Sequence, residues 1–227
     1  MKEHTIRPVA HIESDFPEKF GIPRQAGIVD ELRARVVFDG EYRNDEALRG
    51  IEGFSHLWLI WHFSEAERNA WSPTVRPPRL GGNTRMGVFA TRSPFRPNAL
   101  GLSCVRLLGV EKREGSGTTL LVAGADLMDG TPIFDIKPYV PYADAHPEAA
   151  GGFAPDPGRT LEVAFEAGQE EKVPREKRAA LRGVLANDPR PRYQDDPERV
   201  YAMSFAGLTV RFRAGDRTLT VTEVEEP

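Results

Sequence analysis

Residues 92–98 read RSPFRPN, with two arginines set among prolines and an asparagine. A guanidinium group offers a planar fork of donors, so a rigid loop carrying two of them suits an anion or a planar polar group. Pro94 and Pro97 fix φ and remove backbone donors, which excludes helix interior and central strand. Arg92 and Arg96 are the charges this loop displays, and Asn98 adds a short amide suited to a turn.

The surrounding sequence strengthens that reading. Between Arg68 and Val110 there is no Asp or Glu, yet seven arginines occur, Arg76 and Arg79 among them. The same window holds no lysine, which points to planar multidentate donors and not to general solubility. A second basic run, KVPREKRAALR followed by DPRPRY, places seven cations between Lys172 and Arg192, opposed only by Glu176 and Asp188. Arg178 and Arg182, four apart, would share one helix face with Lys177 flanking them, and Arg190 and Arg192 would extend it. Tyr193 follows as an aromatic able to stack on a base. Two local basic patches on a chain of net charge −4 suggest a phosphate-bearing partner with a limited footprint.

A counterpart of opposite sign lies in GADLMDGTPIFDIKPYVPY, where Asp126, Asp129 and Asp135 stand among Gly130, Pro132 and Pro138. Turn chemistry explains such pairs in part; an acidic rim for a cationic or amino-bearing ligand explains them equally. In KFGIPRQAGIV, Pro23 stiffens a loop that offers Arg24 and Gln25. His56 and His62 would share one strand face but lack a nearby cysteine, so no metal site is expected. No P-loop, nucleophile elbow or dinucleotide-binding glycine motif is present.

The elements that must hold these residues are mostly strands. RPVAHI, ARVVF, HLWLIWHF, MGVFAT, LGLSCVRLLGV and TTLLVAGADL are candidate strands separated by Gly and Pro. Their spacing suggests a β-barrel or sandwich, with one short helix from Arg43 to Gly50. Residues 143–158 are small and proline-rich and read as a linker between an N-terminal domain, 1–142, and a C-terminal one, 159–227. In the latter, TLEVAFEA alternates as a strand, a helix from Arg175 to Ala186 turns Leu181, Val184 and Leu185 inward, and two strands flank an Ala-Gly-Asp turn. That is a small α+β domain.

Composition bounds the rest. The 227 residues are 40% apolar and 28% charged, ordinary for a globular protein. No apolar run is long enough to span a bilayer, and the N-terminus lacks the apolar core of a signal peptide. The single cysteine, Cys104, sits in an apolar run and fits a reducing compartment, so a cytoplasmic location is expected.

Several blocks together resemble the TrmO (TsaA-like) family: KFGIPRQAGIV, GIEGFSHLWLIWHF, TVRPPRLGGNTRMGVFATRSPFRPNALGLS, DLMDGTPIFDIKPYVPY and LANDPRPRY. The resemblance spans nearly the whole chain. It implies a mainly β protein with a single-sheeted β-barrel, which uses S-adenosylmethionine to methylate N6 of N6-threonylcarbamoyladenosine at tRNA position 37. It also implies a homodimer with the active site near the subunit interface. By the same resemblance Pro23, Arg24, Gln25, Ser64, Glu65, Arg92, Leu102, Asp126, Leu127, Met128, Asp129 and Thr131 border the cofactor. Arg96, Asn98, Asp135, Lys137 and Tyr139 then shape the methyl-acceptor side, and Ala99 departs from the proline usual in relatives. The proton acceptor stays open between Asp135, Tyr139 and water. A non-catalytic RNA-binding protein would use the same arginines but has no need of the acidic rim.

Overall fold

The computed structural model describes residues 4–66, 70–190 and 196–226. The N-terminal sheet is built from β1 (Ala10–Glu13), β2 (Arg33–Phe38), β3 (His56–His62), and, beyond a ribbon of β4 (Thr74–Val75) and β5 (Met86–Gly87), from β6 (Leu100–Arg113), β7 (Gly117–Ala123) and β8 (Pro132–Pro138). Strands β1, β2, β7, β6, β3 and β8 follow one another around a closed ring, every neighbouring pair antiparallel. Period-two alternation places Leu57, Leu59 and Trp61 of β3 inside, with Val36, Val105, Leu120, Val122 and Ile133. His56, Trp58, Ile60 and His62 face outward.

The plain single-sheeted barrel expected from the sequence is corrected at one seam. β1 meets β8 only where Ala10 lies opposite Ile133 and His11 opposite Pro132. β1 is four residues long, and Pro132 has no N–H to give to a ladder. Bonds from Val9 N to the Ile133 carbonyl (2.8 Å) and from Ile12 N to that of Thr131 (3.1 Å) join this edge from the strand ends. Other expectations need correcting too. MGVFAT yields only the two residues of β5 and then a 3₁₀ turn, Val88–Ala90; Asp45–Leu48 is 3₁₀ rather than α; and PIFDIKP, expected as a turn-rich rim, is the strand β8.

After the four-residue α1 (Pro141–Asp144), the chain forms β9 (Glu162–Phe165), α2 (Arg175–Ala186), β10 (Tyr201–Phe205), β11 (Leu208–Ala214) and β12 (Thr218–Glu225). The sheet order is β10–β11–β12–β9, antiparallel except that β9 runs parallel to β12. A parallel pair needs a crossover, so the sheet of this small unit of helix and strands is mixed. Leu181, Val184 and Leu185 of α2 are buried against it.

The core of the smaller sheet is shared. Phe16, Val29 and Leu32, from the long β1–β2 connection, pack into it beside Met203, Phe205 and Phe212. Lys177 Nζ lies 2.6 Å from both Asp15 carboxylate oxygens, and Ala206 N donates to the Asp15 carbonyl (2.9 Å). A Cβ on Gly183 would come within 2.6 Å of a Val29 methyl, so α2 can sit this close only with glycine there. The β1–β2 connection is thus clamped on one side by α2, and its Pro-Arg-Gln stretch is held where the ring opens.

Candidate active site

Two adjoining cavities lie over one end of the ring. The first, about 870 Å³, is lined by Pro23, Arg24 and Gln25 from the β1–β2 connection and by Ser64, Glu65 and Ala66 after β3. Leu100, Gly101 and Leu102 of β6 and Asp126, Met128 and Thr131 before β8 complete it. The second, about 1370 Å³, is lined by Trp71, Arg76, Arg85, Phe153 and others. Thr91, Arg92, Pro94, Phe95, Arg96 and Pro97 line both, as does His62. The proline-stiffened loop is therefore the partition between them.

This loop is braced from within. Arg96 NH1 donates to the carbonyls of Thr91 (3.0 Å) and Ser93 (3.4 Å), and Arg96 N donates to that of Pro94 (2.9 Å). Thr91 Oγ1 donates to the Val88 carbonyl (2.9 Å), and Ser93 and Phe95 amides donate to side-chain hydroxyls. Half of the Arg96 fork is spent on its own loop. Arg92, by contrast, reaches across to the β1–β2 connection, where NH1 donates to Gln25 Oε1. Lys19 Nζ donates to the Glu65 carbonyl (2.6 Å), tying that connection to the turn after β3.

The floor of the first cavity carries a polar relay that the sequence did not advertise. Trp61 Nε1 donates to Ser103 Oγ (2.9 Å), and Ser103 Oγ donates to Asp126 Oδ1 (2.5 Å). Trp61 and Ser103 are both buried. Asp126 is half-buried by area, yet its carboxylate is enclosed, and that enclosure pushes its pKa up; the Ser103 bond, backbone N–H groups and the Arg92 charge oppose the rise. An enclosed carboxylate facing an otherwise mostly apolar cavity favours a cationic ligand. Gly101 makes room for this arrangement, because a Cβ there would fall 2.2 Å from the Trp61 ring opposite it. Gly124, at φ +74°, lets the 123–127 turn approach Gly27, whose N donates to its carbonyl at 2.8 Å.

Not all expected residues gather here. Leu127 is buried in the ring core, and Asp129 accepts a bond from Ser14 N (2.8 Å), anchoring β1 instead of facing the cavity. Asp135, Lys137 and Tyr139 lie on or just past β8, away from both cavities. Asp135 and Lys137 pair with each other at 3.0 Å, and Tyr139 packs against His56 and Trp58. Beside them on the same outer face are exposed Leu100 and Leu102 of β6. Arg79 is paired with Asp156 (2.9 Å), whereas Arg76 makes no hydrogen bond or ion pair among the described residues.

The second basic run is placed differently from its expected role. Arg182 bonds both Glu170 oxygens (2.7 and 2.6 Å) and the Val163 carbonyl (3.0 Å), and lies over the Phe165 ring. Arg178 caps the carbonyls of Val173 and Glu171, and Lys177 is taken by Asp15. Arg190 is 8% exposed, pairs with Asp188 and donates to the Ala214 carbonyl (2.6 Å). Arg192 and Tyr193 lie outside the described residues.

The chain matches two family models end to end: the tRNA-methyltransferase O N-terminal domain over residues 11–145, and the TrmO C-terminal domain over 158–227. It belongs to the TrmO family. Among TrmO relatives, the tRNA (adenine(37)-N6)-methyltransferase of Escherichia coli K12 is 41% identical over 99% of both chains. A Pyrococcus abyssi protein named "Probable S-adenosyl-L-methionine-binding protein" is 37% identical, covering 72% of this chain and 83% of its own. A crystal structure of TrmO from Pseudomonas aeruginosa superposes with a TM-score of 0.82 at 33% identity, over 100% of this chain and 99% of that one.

Sequence reasoning missed Trp61, Trp71, Arg85 and Phe89 as cavity residues, and Ser103 as the buried link beneath the first cavity. A signal existed for Ser103, since alternation along β6 puts a serine on the inward face of an apolar strand. None existed for Trp71 and Phe89, which stand apart in sequence and meet only in the fold.

Proposed function

We propose that this chain is an S-adenosylmethionine-dependent tRNA methyltransferase that methylates N6 of N6-threonylcarbamoyladenosine at position 37. The observation that carries the reading is the shared partition, one rigid loop forming a wall of both a cofactor-sized cavity and a larger basic one. Family membership and the names of the relatives support the activity and the cofactor.

The residues present fit the cofactor. Its bound form supplies an electrophilic methyl on a sulfonium, and the enclosed Asp126 carboxylate offers the compensating negative charge. Arg24, Gln25 and Arg92 form the polar rim, and Leu102 and Met128 the apolar wall. The Arg92–Gln25 contact fixes the rim before any ligand enters. Across the partition, Arg92 and the unspent side of Arg96 suit the threonine carboxylate of the modified base. Recognition of that carboxylate would select against unmodified adenosine, because the arginines would be left without their anion. Holding both reactants in register contributes about 7–11 kcal/mol to such a transfer.

Asp135, Lys137 and Tyr139 enter the reading through a second copy of the chain. Exposed Leu100 and Leu102 form an apolar strip on the outer face beside them, and a homodimer across that face would cover it. Each subunit would then bring those three residues toward its partner's cavities.

The test is nucleoside mass spectrometry. Purified protein, S-adenosylmethionine and tRNA from cells lacking this gene should yield threonylcarbamoyladenosine bearing one added methyl. Cofactor binding without transfer to any tRNA would overturn the activity.

A further inference from the structure

The larger cavity is more than the target base requires. At about 1370 Å³ it exceeds the usual volume of a small-molecule site, roughly 300–1000 Å³. The described residues lining it include four arginines, Arg76, Arg85, Arg92 and Arg96, and no carboxylate. Arg92 and Arg96 belong to the partition. Arg76 and Arg85 stand on the far side, flanking the β4–β5 ribbon, both exposed. Among the described residues Arg85 makes one long bond to Thr74 Oγ1 (3.4 Å) and Arg76 makes none, so no described carboxylate takes either charge.

Aromatic surface accompanies this charge. Trp71 is 53% exposed and Phe89 is 73% exposed, a large apolar area left to solvent. Their ring centroids are 6.3 Å apart at 34°, so Phe89 braces Trp71. A base sandwiched between two rings would need about 7 Å, twice the contact distance, which leaves the outer Trp71 face as the platform. Exposed indole beside unpaired guanidiniums is the combination that single-stranded nucleic acid uses, stacking for the base and charge for the phosphate.

We propose that the larger cavity holds a nucleotide flanking the methylated adenosine, its base stacked on Trp71 and its phosphates held by Arg76 and Arg85. This rests on the tRNA methyltransferase reading and adds a subsite to it. It makes the enzyme read single-stranded loop as well as the modified base. It also assigns the β4–β5 ribbon, which contributes nothing to either core, a binding role.

The experiment measures binding of a synthetic anticodon stem-loop RNA by fluorescence anisotropy for wild type, Trp71→Ala and Trp71→Phe, with cofactor affinity by calorimetry alongside. Trp71→Ala should weaken RNA binding roughly tenfold or more, and Trp71→Phe should recover most of it. Cofactor affinity should stay within about twofold, which also shows that the variants are folded. RNA binding by Trp71→Ala equal to wild type overturns this subsite and leaves the activity standing. Adenosine monophosphate binding as tightly as the stem-loop, with the same Trp71 dependence, overturns it in favour of a free-nucleotide site. Wild type that binds cofactor but no RNA overturns the subsite and the activity together.

Discussion

Two arginine-rich regions of this chain look alike in sequence and behave differently in space. From Arg76 to Arg96 no acid is near in sequence, and among the described residues Arg76 makes no ion pair or hydrogen bond, while Arg92 and Arg96 bond only neutral oxygens. From Lys172 to Arg190 the pairing acids come from far away in sequence, from just before the run and from within it. Asp15 reaches Lys177, Glu170 takes Arg182, and Asp188 takes Arg190. Net charge in a window therefore reports available charge only when no carboxylate folds onto it. The first region leaves most of its guanidiniums without carboxylate partners among the described residues and is the one we propose for binding; the second ties most of its cations into the fold.

Four perturbations test that contrast. The largest effect should come from Arg96→Lys. Lysine lacks the fork that bonds Thr91 and Ser93 while leaving donors for a ligand, so the partition would shift. Methyl transfer should fall about a hundredfold, as for comparable misplacements of a positioned reactant, with the melting temperature nearly unchanged. Wild-type turnover by this variant, measured as kcat/KM on modified tRNA, would remove Arg96 from the site.

Charge reversal at Arg76 and Arg85 together should weaken RNA binding and reduce the slope of log K against log salt by roughly 1.4–1.8, the share of two phosphate contacts. Stability should hold, because neither side chain supports the fold.

Asp126→Asn should weaken cofactor binding by roughly tenfold, about 1.4 kcal/mol. The sign of its pH dependence follows from burial, which raises the carboxyl in the folded state. Stability from this group is present below the ordinary carboxylate range and is lost as pH rises through the raised value, so ionised Asp126 costs stability at neutral pH. The Asn variant should melt at or above the wild-type temperature at pH 7, and a clearly lower one would show the carboxylate to be structural. Wild-type cofactor affinity should fall on acidification through the raised value, and the variant's should not.

The smallest functional effect should come from Arg182→Glu. It breaks the bonds to Glu170, whose pKa Arg182 holds down, and places two carboxylates together. The pair is partly exposed, so about 1 kcal/mol is expected, a fall of roughly 2–4 °C in melting temperature. RNA affinity measured on the folded protein should match wild type; a flattened salt slope would return this helix to the RNA interface.

The sequence by itself determined much of this. Apolar runs bounded by Gly and Pro marked β3, β6 and β7 as strands. The α2 stripe and its bounds were legible from helical spacing, and prolines announced the partition loop. Motif resemblance carried the family and placed Pro23, Arg24, Gln25, Arg92 and Asp126 around one cavity. Tertiary structure alone decided the rest. β8 was hidden because Pro132 and Pro138 at its ends and the Asp–Gly pair before it read as turns, while pairing with β3 makes it a strand. Leu127 and Asp129 sit beside Asp126 in sequence, yet adjacent residues of an extended segment point to opposite sides, so only alternate ones meet the cavity. The Trp61–Ser103–Asp126 relay joins three separate segments, and Lys177 and Arg182 of α2 found carboxylates from elsewhere in the chain. Long-range partners are supplied by folding, and local sequence carries no record of them.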